Sequence, residues 1–88
     1  MATKDLTDRD VADAAPPSSG RIELWDGGLP GFGVRISAAG RKTWQVMYRI
    51  GGRKRRLSLG TFPVLPVGLA RESARTLLAE VAKGKDPA

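Results

Sequence analysis

The sequence contains no cysteine and no histidine. No disulfide can staple this chain, nothing implies an oxidising compartment, and the usual zinc ligands are missing. No apolar run approaches the ~20 residues that a membrane-spanning helix needs, and no signal-peptide core opens the chain. At 88 residues, with only two Trp, two Phe and one Tyr, the chain is one small domain with a thin core. These absences predict a soluble intracellular domain with no metal, no cofactor and no membrane partner.

A further absence is local. Between residues 31 and 60 there is no Asp or Glu, while eight basic residues fall there: Arg35, Arg41, Lys42, Arg49, Arg53, Lys54, Arg55 and Arg56. The formal net charge of +6 thus sits in the middle third, flanked by a net −3 over residues 1–30 and a net +1 over residues 61–88. A surface selected only for solubility mixes both signs. A one-sign field is what binding a polyanion requires.

Along the chain, "LTDRDVADA" suits a short helical turn with Thr7 as its N-cap and Asp10 at the third helical position. "PPSSG" breaks it. "RIELWD" alternates, with Ile22 and Leu24 on one side and Glu23 and Trp25 on the other. After the turn "GGLPG", "FGVRIS" alternates cleanly, and "KTWQVMYRI" does so again after "AAG". Gly51-Gly52 is a two-residue hairpin turn of the primed type, and "RKRRLSLG" is the return strand. The spacing of Ala70, Ala74, Leu77, Leu78 and Val81 predicts one amphipathic helix over "VGLARESARTLLAEVAKG", entered at Pro66 and closed at Gly84, with Pro87 beyond.

The expected fold is α+β: a three-stranded antiparallel sheet packed on one C-terminal helix, with Ile22–Trp25 available as a short extra N-terminal edge strand. Phe32, Val34, Ile36, Trp44, Val46, Tyr48, Leu57, Leu59, Leu77 and Val81 form the expected core. The other sheet face is left to solvent. It holds Arg35 and Ser37, then Thr43, Gln45, Met47 and Arg49, then Lys54, Arg56 and Ser58, with no carboxylate among them.

Such a face suits duplex DNA. The major groove admits a β-ribbon, Arg pairs with guanine and Gln with adenine. Lys and Arg at strand ends and turns, Lys42 and Arg53 included, would neutralise phosphates and set the register. Single-stranded RNA would want exposed aromatics for stacking, whereas the strand aromatics fall on the core side. Trp25 is the exception, and core or edge packing accounts for it better. Duller readings remain beside these. Arg53–Arg56 can be a solvated turn, and Gln45 and Ser58 ordinary strand residues. Arg71 and Arg75 on the helix read as a solvated flank rather than a second DNA contact. No catalytic constellation is present, and "GGLPGFG" lacks the Lys-Ser/Thr ending of a phosphate loop.

The ordered set "LTD" (6–8), "LWD" (24–26), "LPGFGVRIS" (29–37), "GRKTW" (40–44), "YRIGGRKRRLSLGTFP" (48–63) and "AR..A..L...V..GKDP" (70–87) resembles the N-terminal arm-type DNA-binding domain of prophage integrases, the tyrosine recombinases. The resemblance implies binding of double-stranded DNA at arm-type sites by a sheet laid in the major groove. It implies an enzyme whose catalytic residues lie in a separate domain, so that Tyr48 is no recombinase nucleophile and this fragment is not itself catalytic. It also implies other integrase protomers as partners and a bacterial cytoplasmic, nucleoid-associated location. On this reading residues 1–20 are a partly ordered N-terminal segment, 21–85 the DNA-binding domain, and 86–88 the start of a linker to a downstream domain. The sequence departs from the family at Pro66, where a Ser-like helix cap is usual, and at Gly68 in the first helical turn. Both leave the helix start open by a turn. A protein-interaction module contacting neighbouring integrase protomers or an accessory factor, anchored on Met47 and Trp25, is the competing function.

Overall fold

The structure, a computed structural model, describes residues 5–86. Residues 1–4 of the N-terminal segment, and Pro87 and Ala88 of the expected linker, lie outside the described residues. The elements run α1 (Asp8–Asp13), β1 (Arg21–Trp25), β2 (Phe32–Ser37), β3 (Lys42–Ile50), β4 (Arg53–Phe62) and α2 (Val67–Ala82). No helix among the described residues is long and apolar enough to cross a membrane.

The sheet has four antiparallel strands in the order β1-β2-β3-β4, not three. The edge strand that the sequence left optional is a full member, paired with β2 from Arg21↔Ser37 to Trp25↔Gly33. Its apolar side chains, Ile22 and Leu24, lie opposite Ile36 and Val34 on the helix side of the sheet, where Leu24 packs against the core and Ile22 stays exposed. β3 and β4 meet at Gly51-Gly52, whose φ values of 56° and 78° are those of a type I′ turn. Near the other end of this pair the register shifts. Trp44 faces Gly60 and Gln45 faces Ser58, so Leu59 is an extra residue in β4. Leu59 stays against the core, and the bulge reverses the sides of the residues after it, so that Thr61 comes to the open face opposite Thr43.

The core lies between the sheet and α2. Phe32, Val34, Ile36, Trp44 and Val46 are fully buried, and the rings of Phe32 and Trp44 stack at 5.3 Å. Each such side chain contributes about 1.5–3 kcal/mol by leaving water. Ala70 and Ala74 let α2 approach closely, with Leu77 and Leu78 half-buried beside them. Val81, nearer the helix end, is also half-buried. The Trp44 indole donates to the Leu65 carbonyl at 2.6 Å, which ties β3 to the loop before α2.

The N-terminal segment packs onto this core through Leu6 and Val11. Thr7 and Asp10 form a reciprocal capping box on α1. Asp8 then does for α2 what Pro66 cannot: its Oδ1 accepts from the Val67 amide at 2.7 Å. The helix therefore begins where the sequence placed it, with its cap supplied from a distant element. At its far end Gly84 donates to Val81 O and Lys85 to Glu80 O, a Schellman closure.

Arg71 corrects the reading of a solvated flank. Its Nη2 donates to Asp26 Oδ1 and to the Leu6 carbonyl, both at 2.8 Å, and its guanidinium lies over the Phe32 ring. The Asp26 side chain is wholly buried and also accepts from the Leu6 amide at 2.7 Å. Burial alone would push the Asp26 carboxyl up. The hydrogen bond and charge of Arg71, with the amides of Leu6 and Gly28, outweigh it and hold the carboxyl below its ordinary range. Arg71 is raised in turn, chiefly by its hydrogen bond to Asp26. One ion pair thus joins the N-terminal segment, the end of β1 and α2.

Candidate nucleic-acid interface

The sheet face turned away from α2 is set by the strand register. Arg35 faces Thr43 on one side and Glu23 on the other, and Gly33 likewise stands between Gln45 and Trp25. On β4, Lys54 faces Arg49, Arg56 faces Met47, Ser58 faces Gln45 and Thr61 faces Thr43. The structure thus brings Arg35, Ser37, Thr43, Gln45, Met47, Arg49, Lys54, Arg56 and Ser58 together on one surface. It also adds β1, and with β1 a carboxylate. The expected acid-free face contains Glu23.

Glu23 belongs to the edge strand, level with Arg35, and its side chain reaches over the middle of that face. Its Oε2 accepts a hydrogen bond from Gln45 Nε2 and pairs with Arg56 Nη1 at 3.3 Å. Arg35 Nη2 donates to Gln45 Oε1 at 3.3 Å, and Arg56 Nη2 lies 3.3 Å from Met47 Sδ. Gln45 is fully buried beneath these side chains. The sequence set it on the correct face as an exposed base reader, but it is a covered support whose two ends are both engaged.

The two ends of the face differ from the centre. At the hairpin end Arg49 and Lys54 stand directly opposite each other and are exposed. Among the described residues neither makes an ion pair, and like charges in register cost stability unless an anion compensates them. At the other end Arg35, Ser37, Arg41, Thr43 and Ser58 line a pocket of about 320 Å³. It presents two guanidinium groups and three hydroxyls, with no carboxylate in its lining. That donor set matches a phosphate group.

Two expected contacts fall elsewhere. Lys42 pairs with Ile36 and Phe62, which turns it to the helix side, where Nζ donates to the Ala12 carbonyl at 3.1 Å. Arg53 is opposite Ile50 at the hairpin tip, exposed but on the helix-side alternation. Arg55 follows the same alternation and pairs with Asp86 at 3.0 Å. The Tyr48 hydroxyl donates to the same carboxylate at 2.9 Å, and its ring is buried on the core side.

A family described as Arm DNA-binding domain matches residues 6–88, nearly the whole chain. The chain belongs to this family. Similar proteins include an integrase of Shigella phage Sf6 and prophage integrase IntS of Escherichia coli strain K12. Each is 32% identical over 75 residues, which cover 85% of this chain and 19% of the relative. The chain therefore spans about a fifth of the length of these relatives, and it is an N-terminal arm-type domain of integrases.

In this arm DNA-binding domain the sequence reading missed four residues of the face. Glu23 is absent from the expected face because β1 is optional by sequence, and Trp25, the one aromatic the alternation turns away from the core, is read there as core or edge packing. Trp25 sits on the face, over Gly33: a Cβ at Gly33 would come within 2.7 Å of Trp25 Cε3. The glycine makes room for the indole, and the aromatic covers the glycine. Arg41 was legible only as part of the basic run. Thr61 comes to face Thr43 through the bulge, which no periodicity announces.

Proposed function

We propose that this arm DNA-binding domain binds duplex DNA through the open face of its sheet, laid in the major groove, as the arm-site-binding module of an integrase acting in site-specific DNA integration and recombination. The observation that carries this reading is the division of the face. Cations that form no ion pair among the described residues stand at its two ends, and a hydrogen-bonding network around the Glu23–Arg56 pair lies between. Thr43 and Arg49 are ~20 Å apart along β3 at ~3.4 Å per residue. The major groove is about 12 Å wide. A face with this spacing reaches both walls of the groove, so that Arg49 and Lys54 meet one phosphate ridge while Arg35 and Arg41 meet the other. Phosphate contacts fix the register, and the centre is left for base edges.

In the intact protein the chemistry of strand exchange belongs to other parts of the chain. Its place of action is the bacterial cytoplasm, where the chromosome lies. Neighbouring protomers on adjacent arm sites are further partners in that setting.

The test is a fluorescence-anisotropy titration with duplex DNA over a salt series. Arg49→Ala and Arg41→Ala each remove one phosphate contact, so each should weaken binding to every sequence and flatten the log–log salt slope by about 0.9. Variants that stay folded with unchanged affinity and slope would remove the open face from the reading.

A further inference from the structure

An acidic residue at the centre of a DNA-facing surface needs a reason. Near phosphates a carboxylate is repelled, and on a face built only for non-specific binding it would weaken every complex. Glu23 is nevertheless held in place from two sides. The fully buried Gln45 donates to its carboxylate, and Arg56 pairs with the same oxygen. Both reactive ends stay accessible, with the Glu23 side chain 26% exposed and that of Arg56 33% exposed. Glu23 comes from β1 and Arg56 from β4, so the two side chains reach toward each other across the intervening strands. They meet above Gln45, midway between the two basic ends.

This rests on the DNA-binding reading above. We propose that Glu23 and Arg56 act together as the reader of one G·C base pair, with Gln45 as the residue that positions the carboxylate. The major-groove edge of a G·C pair presents two acceptors on guanine, O6 and N7, beside one donor on cytosine, the N4 amino group. The Arg56–Glu23 pair presents the complementary set, guanidinium donors beside a carboxylate acceptor. On a matched site the ion pair opens and each partner takes its base: Arg56 donates to guanine and Glu23 accepts from the cytosine amino group. On a mismatched site Glu23 finds no donor. It then stays on Arg56 and withholds one cation from the DNA. Specificity arises from this repulsive element as much as from the new contacts.

The experiment is selection of binding sites from a randomised duplex pool by the wild-type domain, by Glu23→Gln and by Arg56→Ala, followed by anisotropy titrations on the wild-type site and on a generic duplex. Gln keeps the shape of Glu and can still meet Gln45, so folding should hold; amide spectra of each variant check it. The wild-type pool should fix a G·C pair at one position. Glu23→Gln should lose that preference at that position alone, by about 5- to 150-fold in discrimination. It should bind the generic duplex about eightfold more tightly at 0.1 M salt, with a slope steeper by about 0.9, because Arg56 is released to the phosphates. Arg56→Ala should relax the same position, while Arg49→Ala should weaken all sequences and leave the preference intact. The proposal is overturned if Glu23→Gln selects the same site with the same discrimination, or if Glu23→Gln and Arg56→Ala relax different positions. A wild-type domain that enriches no duplex at all would sink the DNA-binding reading itself, and this proposal with it.

Discussion

Two carboxylates three positions apart, Glu23 within β1 and Asp26 just beyond its end, each hold an arginine from a distant part of the chain. Asp26 is wholly buried and takes Arg71 from α2 together with the amide of Leu6. Glu23 is part-exposed and takes Arg56 from β4 over a buried glutamine. The first cluster faces inward and has nothing to exchange its partner for. The second opens to the surface where other hydrogen-bonding groups can compete. Burial decides which of two chemically similar pairs is scaffold and which is available for recognition.

The largest expected effect separates the two at once. Asp26→Asn leaves the Arg71 charge without its partner beneath the N-terminal segment. Removing one member of a buried pair costs 3–5 kcal/mol. Arg71 keeps a side-chain exposure of 20%, so the lower end, about 3 kcal/mol, applies. Urea denaturation should register that loss. Glu23→Gln in the same assay should change stability by less than about 1 kcal/mol, since a part-exposed pair contributes little and Gln can still accept from Gln45. Equal losses in both variants would erase the distinction.

The pH dependence sharpens the same contrast. The Asp26 carboxyl lies below its ordinary value in the folded domain. A group depressed on folding binds protons more weakly in the native state than in the unfolded one. Its stabilisation is complete above the unfolded carboxylate value of about 3.9 and is lost as pH falls through the lower folded value. Stability should therefore decline below about pH 4, and the Asp26→Asn variant should show a shallower acid limb. An acid limb identical in slope in the two proteins would mean that other carboxylates carry it.

The same pair marks the boundary of what the sequence made legible. Period-2 alternation placed Phe32, Val34, Ile36, Trp44, Val46 and Tyr48 inward, because the side of a strand follows from the chain alone. Depth does not follow. Gln45 was assigned its side correctly, yet it is covered because Glu23, Arg35 and Arg56 close over it from other strands. Glu23 itself belonged, by sequence, to an acidic N-terminal third that looked separate from the basic middle. Only the β1–β2 pairing brings it opposite Arg35. Arg71 had the spacing of a solvated flank with Arg75, and its partner lies 45 residues away. Residues whose environment is made by their own strand or helix were readable, whereas those completed by a distant partner were not.

A third acid tests whether inward and outward roles can be told apart where burial is slight. Asp8 is exposed, but its carboxylate accepts from the Val67 amide and supplies the side-chain cap that Pro66 lacks. Asp8→Ala should cost about 1 kcal/mol, the usual worth of a helix cap. Asp8 is on the helix side, remote from the open face, so the salt slope for duplex DNA should stay unchanged. Glu23→Gln should show the reverse: near-native stability and a steeper slope. If Asp8→Ala also altered the slope, the N-terminal segment would be coupled to the open sheet face through α2 and the sheet. If it altered neither slope nor stability, the α2 N-terminus would be held by packing of Val67 and Ala70 alone.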